Sequence, residues 1–277
     1  MRALLLAAGL GTRLQPLTNY LPKCLVPIHG RPLLDYWLET LVNGGVSEIL
    51  INTHYLAPLV IEFLNKSTWF RHVTFVHEEH LLGTGGTILK NHSFFQNEAF
   101  LIAHADNLTI FNVQEFLNCH QSRPVGAEMT MMVFETDNPQ SCGIVEIDDS
   151  GLVKAFHEKV SLPPGILANA AVYILEPSVA DFMATFGKGV IDLSTEVIPN
   201  FMGRISTYRN SSYHRDIGTI ASWTEAHKDF PVMPSTAQDA QAWGYIMESG
   251  NGSLPSVIEQ LLAITAPTTS ITNLFRR

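Results

Sequence analysis

The chain has 277 residues, 46% of them hydrophobic and 16% charged, with a formal net charge of −9. That length can bury a substantial core as one large domain or two small ones, and the composition is that of a soluble globular protein with no apolar stretch of membrane-spanning length. The acidic balance excludes general nucleic-acid binding, which relies on basic patches that neutralise phosphates, so a phosphate ligand has to be held by a few placed cations, backbone N–H groups or a metal.

Residues Ala3 to Ala7 read as a strand; the start, Met1-Arg2-Ala3-Leu4-Leu5-Leu6, is too short an apolar run for a signal peptide and flows directly into Gly/Thr/Arg. Pro32 to Asn43 places Leu33, Leu34, Trp37, Leu38 and Leu41 on one helical face and stops at Gly44-Gly45. A strand over Val46 to Ile51, a helix over Ala57 to Asn65, a strand over Val73 to Val76, a short helix over Gly85 to Lys90 and a strand over Phe100 to Ala103 follow. Strands separated by helix-length segments imply βαβ units and a mostly parallel sheet.

The second half changes character. Met129 to Phe134, Ile144 to Ile147, Leu152 to Phe156 and Ala170 to Ile174 are strand candidates, with Asp148-Asp149-Ser150-Gly151 as a hairpin turn. Helical patterns return at Val179 to Phe186, Ser194 to Phe201 and Ile220 to Phe230, and in the tail at Gln238 to Met247 and Val257 to Ala263. No repeat of fixed period is present. Cys24, Cys119 and Cys142 are an odd number without CxxC spacing, which argues against a disulfide framework or a zinc site and fits a reducing cytoplasm.

Chemistry concentrates in Leu4 to Leu34. A strand followed by glycines lets backbone N–H groups approach phosphate oxygens, because a Cβ would hold the ligand off. The stretch is not a Walker A loop, and a dinucleotide fingerprint would want a third glycine where Leu14 stands. Arg13 offers a fork for two phosphate oxygens and Lys23 a compact charge, although either alone would read as a solvated surface residue.

Leu6-Ala7-Ala8-Gly9-Leu10-Gly11-Thr12-Arg13-Leu14, then Pro22-Lys23-Cys24-Leu25-Val26-Pro27 and Gly30-Arg31-Pro32-Leu33, resembles the N-terminal signature of sugar-1-phosphate nucleotidylyltransferases, in particular those like mannose-1-phosphate guanylyltransferase. The likeness runs through most of the first 225 residues. It implies a Rossmann-like three-layer α/β/α sandwich with a mixed, mostly parallel central sheet. It also implies a nucleotidyltransferase domain over 1–230, with a nucleotide-binding half to about 125 and a sugar-binding half after it, and a C-terminal helical extension over 231–277.

By the same resemblance Leu6, Ala7, Ala8, Gly9, Gly11, Thr12, Arg13, Glu79, Gly83 and Asp106 bind nucleotide. Arg13 and Lys23 are catalytic, Asp106 and Asp216 hold Mg²⁺, and Gly143, Glu158, Lys159 and Asn169 bind the sugar phosphate. Each has a bland rival: Asp106 a cap, Asp216 a turn residue, Glu158-Lys159 an exposed charged pair, Asn169 a partner for local backbone, Gly143 a bulge. The reaction, NTP plus sugar 1-phosphate giving NDP-sugar plus pyrophosphate, needs no protein base, since a phosphate monoester with a second pKa of about 6 is largely a dianion at neutral pH. Its obstacle is the meeting of two polyanions, which calls for cations and magnesium-holding carboxylates.

Guanine is the expected base, with Glu78 or Glu79 as acceptors for its N–H groups, and mannose 1-phosphate or a heptose 1-phosphate the expected sugar; UTP or dTTP with a glucose or amino-sugar phosphate is the alternative. A non-catalytic nucleotide-sugar-binding homologue would be favoured by loss of Arg13, Lys23 or either Asp, and none is lost. A glycosyltransferase would want an acidic residue two before Asp106, where His104 stands. Ala105 and Ala171 replace glycines of the family pattern, which puts substrate fit in question. The expected setting is a cytoplasmic enzyme supplying cell-surface polysaccharide synthesis, without nucleic-acid or membrane partners and with homo-oligomerisation open.

Overall fold

Ala3, Leu4 and Leu5 are all fully buried, because the first strand lies in the middle of a sheet covered on both faces. The computed structural model describes residues 1–249 and 253–265; residues 250–252 and 266–277 of the expected extension lie outside the described residues. Strand β1 (Arg2–Leu6) leads through a long loop of three 3₁₀ turns, Thr12–Leu14, Leu17–Asn19 and Lys23–Leu25, to the hairpin β2 (Pro27–Ile28) and β3 (Arg31–Pro32). Next come α1 (Leu33–Asn43), β4 (Glu48–Thr53), α2 (Ala57–Lys66), β5 (Val73–His77), α3 (Gly83–Lys90), β6 (Phe100–His104), β7 (Asn107–Ile110) and α4 (Val113–Gln121). The second half holds β8 (Met129–Glu135), β9 (Gly143–Ile147), β10 (Val153–Glu158), β11 (Leu167–Leu175), α5 (Pro177–Ala184), β12 (Ile205–Arg209) and β13 (Tyr213–Asp216). Helices α6 (Ile220–Asp229), α7 (Ala237–Ser249) and α8 (Leu254–Thr265) close the described chain.

The main sheet is mixed, in the order β10-β9-β11-β6-β1-β4-β5, with β8 branching from β11 and β12 added beside β8. Strands β6, β1, β4 and β5 are parallel; β11 joins β6 antiparallel and starts the second half. Alternate strand residues serve opposite faces, as the pleat demands. Leu5, Ile51 and Ala103 enter a core beneath α1, α4 and α6, while Leu4, Leu50 and Ile102 enter a second core beneath α3 and α5. The three-layer α/β/α expectation is thereby met. Among the described residues no helix is long and apolar enough to cross a membrane.

Most expected elements form within a few residues of their read boundaries. The helix expected over Ser194 to Phe201 does not: Leu193–Val197 makes a single π-helical turn and Ile198–Phe201 a 3₁₀ turn, since Pro199 has no N–H to give to an α-helical ladder. Helix α4 and strands β7, β12 and β13 are additions, too polar in sequence to show as apolar runs.

Candidate active site

The parallel half builds the site by its topology. From β1 the chain moves to β4 and β5 on one side, then crosses to β6 on the other, so the carboxyl ends of β1 and β6 diverge at a switch point, where open α/β sheets bind ligands. Residues 7–11 leave β1 there and Ala105-Asp106 leave β6, tied together by the Ala105 N–H on the Leu6 carbonyl at 3.0 Å. A cavity of about 190 Å³ opens between Leu6, Ala8, Gly9, Asn52, Glu78, Leu81, Gly83, Thr84, Thr87, His104 and Asp106. A Cβ on Gly9 would meet no protein atom, leaving its backbone open on that side. Gly11 has a different reason: its φ is +64°, and a Cβ would stand 2.8 Å from Thr18 Cγ2. Thr12 and Arg13 are exposed beyond it.

The decisive geometry is around Lys23. Its residue is only 8% exposed, yet Nζ donates to Asp106 and, at 3.3 Å, to Asp216 Oδ1. Burial works to lower the Lys23 pKa, but the two carboxylates outweigh it and hold the ammonium above its ordinary value. For Asp106 burial works upward, and Lys23 with His104 outweighs it to leave the carboxyl below its ordinary value. Asp216 reaches this place through the short pairing of β13 with β7, which sets Asp216 opposite Asn107, and through the Ile217 N–H on the Asp106 carbonyl at 3.2 Å. Arg13 completes the group: a Cβ on Gly218 would lie 3.2 Å from its Nη2 and 2.7 Å from Asp216 Oδ2. Asp106 therefore precedes a strand and caps no helix.

The segment expected on the base side separates its two glutamates. Glu79 is exposed and outside the cavity wall, whereas Glu78 is 2% exposed and lines it. The Glu78 carboxylate accepts from Asn52 Nδ2 at 3.0 Å, Thr87 Oγ1 at 2.6 Å and the Leu82 N–H at 3.3 Å. Asn52 in turn accepts the Ala7 N–H at 2.8 Å, so one buried network joins the glycine turn to the base-side loop. Gly83, at φ +70°, lets that loop lie against the Ile191 carbonyl, 2.5 Å from where a Cβ would be.

In the other half, Lys159 pairs with Glu158 at 3.1 Å and has φ +49°, its N–H held by the Cys142 carbonyl. Gly143 is opposite Glu158 in β9–β10, and a Cβ there would meet the Phe156 ring at 2.5 Å and the Glu158 carboxylate at 2.7 Å, so a larger residue would have to displace those side chains. Asn169 closes a bulge in β11, donating to Tyr173 OH at 2.6 Å and accepting from the Ala171 N–H at 2.9 Å. Ala171 has φ +53°, which explains why the family pattern has glycine there. Ala105, by contrast, is fully buried in the core, so its methyl does not reach a substrate and the question it raised about fit falls away.

Asn52 and Thr87, which line the cavity, had drawn no notice in the sequence. Asn52 left one signal, a polar residue where the fully apolar run of β4 ends. His214, half-buried and hydrogen-bonded to Thr109 Oγ1, has its imidazole pushed down to about 3 by burial and is a neutral structural group. Cys24, next to Lys23, has its thiol pushed up to about 12 by burial and is no nucleophile.

Residues 2–231 match the sequence profile of the Nucleotidyl transferase family. The chain belongs to that family. Mannose-1-phosphate guanylyltransferase of Mycobacterium tuberculosis is 30% identical over 263 residues, 92% of this chain and 72% of that one. Mannose-1-phosphate guanylyltransferase 1 of Arabidopsis thaliana is 33% identical over 187 residues, and the match spans about half, 51%, of that longer protein. Among solved structures, HddC from Yersinia pseudotuberculosis complexed with GMP-PN superposes with a TM-score of 0.70 at 25% identity, covering 83% of this chain and 99% of that one. This nucleotidyltransferase is of the sugar-1-phosphate nucleotidylyltransferase class.

Proposed function

We propose that the enzyme transfers a guanylyl group from GTP to mannose 1-phosphate or a closely related sugar 1-phosphate, with magnesium held by Asp106 and Asp216. The observation that carries the site assignment is the convergence of Lys23, Asp106 and Asp216 beside Arg13 and the glycine turn. Guanine is supported by the names of the matched guanylyltransferases and by the GMP-PN complex of the structural neighbour. Mannose is supported by the same names alone.

The donor set fits magnesium. Two carboxylates offer hard oxygens, and a positive group, the Lys23 ammonium, already lies between them. Magnesium is commonly held by one or two carboxylates together with substrate phosphates and water. When bound, the ion neutralises phosphate charge.

The chain's own residues then act by position. The sugar-phosphate oxygen attacks the α-phosphorus in line, one P–O bond forms, the bond from the α-phosphorus to the bridging oxygen breaks, and pyrophosphate leaves with the electron pair. Lys23 and Arg13 stabilise charge that grows on the phosphate oxygens, Arg13 on the departing side. Glu158 and Lys159 hold the sugar and its phosphate, and Asn169 stands at the bulge beside them. The Asn52–Glu78–Thr87 network keeps the base-side loop in fixed relation to the glycine turn.

Pyrophosphate release, measured across four NTPs and a panel of sugar 1-phosphates, tests the reading. GTP with mannose 1-phosphate is expected to be fastest, and EDTA is expected to stop turnover. Fastest release from UTP or dTTP overturns the base assignment. Nucleotide binding without turnover marks a regulatory homologue, and undiminished release in EDTA removes magnesium from the mechanism.

A further inference from the structure

The family profile ends at residue 231, but the packing does not. Helix α7 is fastened by Asp239, 1% exposed, which accepts from Ser67 Oγ at 2.7 Å, the Thr68 N–H at 2.9 Å and Thr68 Oγ1 at 2.6 Å. The segment before it is held by a second buried carboxylate: Asp35 accepts from Ser235 Oγ at 2.9 Å, Trp69 Nε1 at 2.8 Å and Arg31 Nε at 2.6 Å. Lys66 adds a contact over the Tyr245 ring, 4.0 Å from its centroid. Buried carboxylates whose acceptor oxygens are filled by fixed donors define one docking position, because any shift leaves polar groups unpaired.

From that anchorage α8 is laid against the 3₁₀ turn Leu17–Asn19 and against α6. Leu254 and Ile258 are buried in the same apolar cluster as Leu14, Leu17, Leu21 and Leu25, the inward residues of the loop that carries Arg13 and Lys23. Thr18 donates from Oγ1 to the Gly11 carbonyl at 2.8 Å, its own carbonyl accepts from Tyr55 OH at 2.8 Å, and Lys23 Cβ lies beside Gly11. The loop's regular structure consists of isolated 3₁₀ turns, which have poor hydrogen-bond geometry and little stability of their own.

We propose that α7 and α8 form a brace that holds the triphosphate loop in its binding shape, with Leu254 and Ile258 as positioning residues acting through Thr18 on Gly11 and Lys23. The proposal rests on the reading of that loop as the nucleotide site. It gives the extension a part in nucleotide binding in addition to covering the core. A loop held in shape before the ligand arrives loses less freedom on binding, so loosening the brace weakens nucleotide affinity and leaves the sugar side alone.

The test uses the whole 277-residue chain. Equilibrium titration with GTP, without sugar phosphate, is compared for wild type, Ile258→Ala, Ile258→Val and Phe201→Leu. Phe201 is buried in the core on the opposite face of the sheet and serves as a control for general loss of stability. Ile258→Ala is expected to bind GTP roughly threefold to thirtyfold more weakly, with Ile258→Val close to wild type. In turnover, its KM for GTP rises while the KM for sugar 1-phosphate stays. Phe201→Leu is expected to lower the melting temperature and leave GTP binding unchanged. If Ile258→Ala fails to fold, Thr18→Val, which removes only the bond to the Gly11 carbonyl, is expected to show the same weakening. GTP binding at wild-type strength in the variant, with a lowered melting temperature, overturns the brace alone. A wild-type chain that binds none of the four NTPs overturns the nucleotide reading and the brace with it.

Discussion

The two halves of the site are held in different ways. On the nucleotide side Lys23 is nearly buried between two carboxylates, the glycine turn is tied to β4 through Asn52, and the glycine loop follows parallel strands. On the sugar side the Lys159 side chain is 63% exposed in a left-handed backbone, and its ion pair with Glu158 is open to solvent, the kind of pair that contributes little to stability. On the proposed roles, the chemistry common to all NTPs is set in a rigid frame, while Lys159, the group assigned to the variable substrate, keeps its freedom. A scaffold of this kind can change its sugar without rebuilding its reaction centre.

The contrast can be broken most directly at its rigid end. Lys23→Met is expected to lower kcat about a hundredfold to a thousandfold, the loss typical of one transition-state donor, and to cost stability as well by leaving Asp106 and Asp216 facing each other. Rapid-quench turnover beside thermal melts checks both, and near-normal kcat would take Lys23 out of the reaction. At the flexible end, Lys159→Ala is expected to raise the KM for sugar 1-phosphate roughly tenfold to a hundredfold, the worth of a charge-assisted hydrogen bond, while the KM for NTP and the melting temperature hold. Initial rates over a grid of both substrates separate the two, and a change confined to NTP would reverse the assignment of the halves. The smallest effect is expected at Ala171. Glycine there relieves the left-handed strain but loosens the unfolded chain, for a net gain of about 0.5–1 kcal/mol in urea unfolding. A loss would show that the alanine methyl packs better than its backbone angle suggests.

What the sequence made legible follows the same division. Strands β1, β4 and β6 are buried on both faces, so they appear as continuous apolar runs, and the residues that follow β1 and β6 could be named in advance, whereas Asn52 at the end of β4 was not. Among the described residues strands β7 and β13 pair only with each other; NLTI and YHRD carry no such run, although they bring Asp216 to Asp106. Helix α4 was readable after all, through Asn112 and Glu115 at its start, where the Asn112 side chain caps the Glu115 N–H at 3.2 Å. Glu78 and Glu79 show the limit of a one-dimensional reading. Neighbouring residues in an irregular loop have no period to separate them, and only the fold turns one inward.

The small β7–β13 ladder also bears on how the enzyme is made. Lys23 and Asp216 lie 193 positions apart, and they meet only when that ladder forms behind Asp106. A ribosome therefore delivers the acidic pair long after it has delivered the glycine turn. Until residue 216 has emerged and docked, the nascent protein has the glycine turn, Lys23 and Asp106 but lacks the second carboxylate that Lys23 pairs with.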